Sequence, residues 1–224
     1  MIIVFSGVDC SGKSTQINIL KDRVAQKKLS VYSIWSRGGY TARFERIKKV
    51  LRFILGKKSI PSGRSKKRDK VMSNPLIVRL WLIIAMLDLF FLYAITLRFK
   101  SFNGNVVICD RYLGDTFIDF SLNFPSINFE KMLLWKLLLV SLPKPDVGFL
   151  FTLPAEESIS RSKLKNEPFP DSKEVLEYRL KMYEASMLFN GENWSKINGL
   201  DSINLSAQAI EKKVFSKFSA SDAT

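Results

Sequence analysis

The sequence predicts an α/β fold: a three-layer sandwich in which helices cover both faces of a five-stranded parallel sheet. Three observations predict it. Short apolar, β-branched runs recur along the chain at Met1–Ser6, Val31–Trp35, Val106–Asp110, Val147–Leu153 and, more weakly, Ser195–Asn198. Stretches with apolar residues at helical spacing separate them, which is the pattern of βαβ units. The runs are continuous rather than alternating, as expected of strands buried on both faces.

Between these strands, the spacing of Ile17, Leu20 and Val24 predicts a helix over 14–28. Ile47, Val50, Leu51, Ile54 and Leu55 place a basic amphipathic helix over 44–55. Helices are also expected over 113–123, 129–142, 155–165, 172–190 and 207–218, with a break at Pro168 and Pro170 and a turn at Asn198-Gly199. Leu76–Leu97 is apolar enough to span a bilayer, and only Arg79 and Asp88 interrupt it. A charge near the centre of a span is costly, and the segment lies between two strands. A helix buried on most sides is therefore the reading preferred to a membrane helix.

With 224 residues and 46 % hydrophobic content, the chain has the material for one domain over 1–224. The net charge of +14 suits acidic partners such as nucleotides, nucleic acid or an anionic membrane surface. No zinc finger, RNA-recognition signature or helix-turn-helix pattern points to a specific nucleic-acid partner. Residues 56–74 carry Lys57, Lys58, Arg64, Lys66, Lys67, Arg68 and Lys70 against Asp69 alone. That stretch reads as a solvated surface insertion, or as a peripheral contact with phosphate or membrane. The sequence contains no histidine, which excludes Ser-His-Asp and Cys-His catalysis and histidine metal sites. Its two cysteines, Cys10 and Cys109, form no metal or disulfide pattern, and the start Met1-Ile2-Ile3-Val4-Phe5 has no basic leader. A cytoplasmic location is expected.

Chemistry concentrates first in Gly7–Ser14, G-V-D-C-S-G-K-S, which follows the first strand and opens the first helix. This is the G-x-x-x-x-G-K-[ST] phosphate loop in its required context. Gly7 and Gly12 let backbone N–H groups turn onto phosphate oxygens, and the helix N-terminus adds its positive end. Lys13 is expected to reach the β- and γ-phosphates of ATP, and Ser14 to ligate Mg²⁺. Asp9, Ser11 and Thr15 complete the expected nucleotide-binding set. The Asp9 carboxylate would repel phosphate, so it should point across the site toward an acceptor hydroxyl or a cation, or else close an Asx turn.

Three further elements fall near this loop if the sheet is parallel, because ligands bind beyond the carboxyl ends of the strands. Asp110-Arg111-Tyr112 supplies a carboxylate suited to Mg²⁺ and a guanidinium suited to phosphate, or an internal salt bridge. Arg37, beside Gly38 and Gly39, follows the second strand and suits an acceptor phosphate, or is an incidental arginine in a turn. Arg161, Lys163 and Lys165 precede the proline break and read as a lid over 161–171, or as an exposed helix end.

Together these residues resemble the thymidylate-kinase-like nucleoside monophosphate kinases. V-F-S-G-V-D-C-S-G-K-S-T looks like that family's first strand and loop, and V-V-I-C-D-R-Y like its Asp-Arg-Tyr strand. S-R-G-G-Y-T at 36–41 resembles a degraded Arg-Glu-Pro-Gly-Gly-Thr acceptor segment. The resemblance implies transfer of the γ-phosphoryl of ATP to dTMP. Lys13, Asp110, Arg111 and Arg161 would be catalytic, and Ser14 and Asp110 would hold the metal. Asp9, Arg37, Arg111 and Asp115 would meet the acceptor. Cys10 stands where some members carry an arginine, which implies that the lid supplies it through Arg161. A homodimer through helices is implied as well.

The chain also departs from the family. Asp88 is followed by Leu89 where the base-reading arginine is usual, and Asp115, Asp119 and Phe120 replace the Ser and Tyr-Gln that follow Asp-Arg-Tyr. Two other readings remain open. One is the same fold acting on another acceptor, a nucleoside or another phosphorylated or hydroxyl metabolite, with Asp9 or Asp115 as base. The other is a nucleotide-binding, membrane-associated adaptor. No Asn-Lys-x-Asp motif supports a GTPase switch.

Overall fold

The apolar run at the start of the sequence forms β1 (Ile2–Gly7), and all six of its residues are buried. In the computed structural model, which describes residues 1–36, 38, 41–55, 72–168 and 170–221, β1 is the central strand of a sheet. Its companions are β2 (Val31–Trp35), β3 (Val106–Asp110), β4 (Val147–Thr152) and β5 (Trp194–Asn198), in the order β2-β3-β1-β4-β5. All four pairings are parallel, and Phe5 lies beside Asp110 on one side and Phe149 on the other. Every strand therefore ends on the same edge, which brings Gly7 and Asp110 there together.

The helices are α1 (Lys13–Gln26), α2 (Ala42–Leu55), α3 (Pro75–Phe90), α4 (Arg98–Phe102), α5 (Leu113–Asn123), α6 (Leu133–Ser141), α7 (Ala155–Leu164), α8 (Lys173–Ala185) and α9 (Ile203–Ser221). A π-helical stretch, Phe91–Leu97, joins α3 to α4. The chain divides into two compact units. Residues 1–35, 100–118 and 144–224 make the first, which holds the whole sheet; residues 36–99 and 119–143 make the second.

In the first unit, Ile3, Phe5, Ile108, Phe149 and Phe151 from the sheet pack with Ile17, Leu20 and Val24 of α1 and Ile210 and Val214 of α9. The intervening strand residues Ile2, Val4, Val107, Cys109 and Leu150 are buried too, so both faces of the sheet are covered. Each such side chain contributes about 1.5–3 kcal/mol on leaving water.

In the second unit, the Trp81 ring of α3 meets Phe44, Phe120 and Phe124 at centroid distances of 5.5, 6.0 and 5.2 Å. Phe120, which the family comparison marked as a departure near the base, is thus a core aromatic. Asn74 caps α3 by accepting a hydrogen bond from the Leu76 N–H at 2.9 Å, with Pro75 in the first turn.

The expectation that Leu76–Leu97 is buried on most sides needs correction. Val78, Leu82, Ala85, Met86, Leu89, Tyr93 and Leu97 are buried, whereas Leu76, Leu80, Leu87, Phe91 and Ile95 face solvent. The continuous helix 75–102 is long and apolar enough to cross a membrane by length and composition, yet only 39 % of its apolar window is buried. Its polar interruptions are too few to mark which side packs, so sequence periodicity could not divide it.

Local backbone chemistry shifts several other boundaries. Met132 is extended and splits the expected helix over 129–142 into a 3₁₀ turn at Phe129–Lys131 and α6. Ser186 is extended and ends α8 before a 3₁₀ turn at Met187–Phe189. The last helix begins four residues earlier than expected, because the Ser202 hydroxyl accepts from the Leu205 N–H at 3.2 Å.

Candidate active site

The first unit carries the phosphate loop between β1 and α1. Gly7 has φ +129°, and a Cβ there would lie 2.1 Å from the Phe151 carbonyl oxygen of β4. No other residue fits so close a strand pairing. Gly12 has φ +95° at the N-cap of α1, with open space around its Cα. Cys10 also takes a left-handed φ of 60°, unusual for a residue with a side chain. These turns leave Ser14 and Thr15 exposed on the first turn of α1, where unpaired helix N–H groups favour an anion. Ser11 is buried and donates to the Val8 carbonyl at 2.8 Å, bracing the loop from inside.

Lys13 folds back over this loop. Its Nζ donates to the carbonyls of Gly7, at 3.0 Å, and Val8, and reaches the Ser11 hydroxyl at 3.3 Å. Burial, and then the nearby Arg111 cation, push its pKa down from 10.5 to about 8. A phosphate beside it would reverse that shift. ATP binding is therefore expected to take up close to one proton per site at pH 9. Calorimetric titrations in two buffers of different ionisation enthalpy would measure it, and zero uptake would contradict the placement of Lys13 at the phosphates. The same shift makes stability rise with pH from about 8 toward 10.5, because the folded state binds fewer protons than the unfolded chain over that window.

Asp110 and Arg111 stand at the end of β3. The Arg111 N–H donates to the Phe5 carbonyl at 2.8 Å, and its backbone then turns left-handed, with φ 74°. That turn directs the guanidinium beneath the loop. Nη2 pairs closely with Asp9, while Nη1 donates to Gly7 O at 3.2 Å, to Asp115 Oδ1 at 3.1 Å and to Tyr183 OH at 3.4 Å. Asp9 does cross the site, and its partner there is this protein cation.

Asp115 is reached from below. Its carboxylate accepts from the Ser6 hydroxyl at 2.6 Å, Tyr112 N–H at 2.9 Å, Tyr183 hydroxyl at 2.7 Å, Gly7 N–H at 3.4 Å and Arg111. A buried carboxylate with five donors holds its neighbours in place.

Asp110 is half-buried. Burial raises its carboxyl pKa, against the opposing pull of Lys13 and Arg111. Among the described residues no hydrogen bond or ion pair engages its side chain. Its carboxylate and the exposed Ser14 hydroxyl are hard oxygen groups of the type that Mg²⁺ takes. No cluster of three acidic, cysteine or histidine groups occurs among the described residues.

The other contacts to the loop come from α7. The Ser158 hydroxyl donates to the Asp9 carbonyl at 2.9 Å. Arg161 is held by Glu157 at 2.7 Å and donates to the carbonyls of Gly199, at 3.0 Å, and Cys10, at 3.5 Å. It thus touches the loop at Cys10. A small cleft beside the loop and α7 is lined by Asp9, Ser158, Ser162, Glu167 and Asp171. Asp171 in turn pairs with Arg179 at 2.8 Å, both side chains buried. Lys163 and Lys165 are exposed.

The structure gathers Lys13, Asp9, Arg111, Asp115 and Arg161 into one connected group, with Ser14 and Asp110 on the same sheet edge. Arg37 lies outside the described residues, as do 56–71 of the basic segment. Ser6, Tyr183, Ser158 and Gly199 were not anticipated. They enter through tertiary contacts 38 to 149 residues apart in sequence, and no local motif marks them.

A phosphate loop on the central strand of a five-stranded parallel sheet, with Arg111 buried beneath it and Arg161 reaching it from α7, is the arrangement of a P-loop phosphoryl-transfer enzyme. No protein-family model matches the chain. It is 27 % identical over 179 residues to the thymidylate kinase of Mycoplasmopsis pulmonis, covering 75 % of this chain and 64 % of that enzyme. It is 26 % identical over 216 residues to the thymidylate kinase of Bartonella henselae, covering 93 % and 92 %. The chain thus spans a little under two thirds of the first relative and nearly all of the second. The crystal structure of thymidylate kinase from Ehrlichia chaffeensis shares the fold, with a TM-score of 0.53 at 19 % identity over 96 % of this chain and 97 % of that one. The chain is thus similar to thymidylate kinases in sequence and shares their fold.

Proposed function

We propose that the chain transfers the γ-phosphoryl of ATP to dTMP, giving dTDP and ADP, and that both units form one kinase domain over 1–224. The observation that carries this reading is the convergence of Lys13, Arg111 and Arg161 on one loop from three separate elements. Phosphoryl transfer asks for positioning and charge neutralisation more than for covalent chemistry, and three fixed cations supply both. The loop N–H groups and the α1 N-terminus hold the donor phosphates. Lys13 exchanges its loop carbonyls for phosphate oxygens. Arg161 extends toward the transferring group from the carbonyls of Cys10 and Gly199. Ser14 and Asp110 would hold Mg²⁺, which when bound neutralises charge on the β- and γ-oxygens.

On the acceptor side, Arg37 and Arg111 serve the acceptor phosphate and Asp9 faces the sugar, while Asp115 acts through Arg111 as its scaffold. An acceptor phosphate needs no strong base. The alternative of a hydroxyl acceptor needs one, and Asp9 is tied to Arg111 while Asp115 is saturated with donors. The basic residues of 56–74 and the solvent-facing apolar stripe of α3 suit a partner surface, and a homodimer through that stripe belongs to this reading. The enzyme is proposed to work in the cytoplasm.

A coupled ADP-release assay across dTMP, other nucleoside monophosphates and thymidine tests the acceptor. Turnover with dTMP at least about tenfold above the others, a difference of about 1.4 kcal/mol in the barrier, is expected. Release with thymidine but not dTMP would favour the hydroxyl reading, and Asp9→Asn should then abolish kcat.

A further inference from the structure

In sequence, Arg37 lies between Ser36 and Thr41, whose side chains are both buried against one helix. Ser36 and Tyr93 are fully buried, and their hydroxyls lie 2.7 Å apart. Thr41 and Asp88 are also buried, and the Thr41 hydroxyl donates closely to the Asp88 carboxylate. The same hydroxyl oxygen accepts from the Phe44 N–H at 3.1 Å, so Thr41 caps α2 and grips α3 with one atom. Phe44 follows with its ring against Trp81.

An apolar helix has little reason to place a carboxylate and a phenol in its interior. Burial raises the Asp88 carboxyl pKa, with only the Thr41 hydroxyl and the Arg43 charge opposing, and a buried polar group is costly unless its partner is in place. The local winding is also unusual. Five residues make about 1.4 turns of an α-helix, which would turn Asp88 and Tyr93 to different sides. The i→i+5 winding of Phe91–Leu97 brings residues five apart nearer to alignment, and such stretches frequently mark functional sites.

We propose that Tyr93 and Asp88 are positioning residues, holding Ser36 and Thr41 as the two fixed ends of the acceptor-phosphate segment. This rests on the reading that Arg37 binds the acceptor phosphate. Neither grip is built from a residue of the nucleotide loop, so their loss raises the acceptor KM and leaves the ATP KM alone.

The test uses Tyr93→Phe and Thr41→Val, each of which deletes one grip, with Thr41→Ser, which keeps it. Steady-state kinetics should give a dTMP KM raised about five- to tenfold in the first two. The KM for ATP should stay within about twofold, and Thr41→Ser should restore the wild-type value. An unchanged dTMP KM in both variants, or an ATP KM rising in parallel, overturns the proposal. Hydrogen exchange at the Gly38 and Thr41 amides gives a readout that needs no acceptor. It should quicken in both variants, and unchanged exchange overturns the grips. Absence of wild-type turnover with dTMP would instead overturn the acceptor reading, while the exchange data still decide the grips.

Discussion

Replacing Arg111 by lysine is expected to lower kcat/KM roughly 10³-fold with the fold retained. The expectation follows from geometry rather than charge. One buried guanidinium serves Asp9, Asp115, the Gly7 carbonyl and the Tyr183 hydroxyl at once. An ammonium keeps the charge but has three donors on a flexible stem and no planar fork. It can stay with Asp115 or reach Asp9, and cannot tie both to the loop. The left-handed backbone at residue 111 is the same for either side chain, so thermal stability should fall by only a few degrees. Steady-state kinetics and a melting curve on the same preparation check this. A loss of less than about tenfold would remove Arg111 from the transition state.

Gly7→Ala is expected to abolish ATP binding and to destabilise the protein by about 4 kcal/mol or more. The new methyl would lie 2.1 Å from the Phe151 carbonyl oxygen and 2.9 Å from that residue's nitrogen and carbonyl carbon. These are backbone atoms of the neighbouring strand, and moving them separates β1 from β4. The φ of +129° adds strain whatever the space. Gly12→Ala is the instructive comparison. Its Cβ meets nothing within 4 Å, so only the left-handed backbone matters, at about 1–2 kcal/mol. Melting temperatures should fall by roughly 10 °C or more for Gly7→Ala and by a few degrees for Gly12→Ala. Equal effects of the two substitutions would contradict the close pairing at Gly7.

The parallel sheet was legible because each strand is a continuous apolar run, and the phosphate loop because its chemistry needs contiguous residues in a fixed order. Asp110 and Arg111 were legible for a topological reason: a parallel sheet puts every strand end on one edge. The function of Asp115 was not. Its five donors come from three places in the chain, and only tertiary structure shows that the carboxylate braces the site from below. Arg161 was identified as a lid cation, but its anchorage on the carbonyls of Cys10 and Gly199 requires β5 to end beside the loop, which no spacing reveals. The two faces of α3 were also hidden, since both sides of that helix are largely apolar and the side left in solvent carries Arg79 as its one charged residue.

In the proposed reaction this loop, with Lys13 and Arg111, moves a phosphoryl group onto dTMP. Incubation with γ-³²P-ATP, Mg²⁺ and dTMP, followed by chromatographic separation of the nucleotides, tests it most directly. The account predicts label in dTDP for the wild type, and none above background for Lys13→Met. Label released only as inorganic phosphate, or label in dTDP that persists undiminished in Lys13→Met, would contradict it.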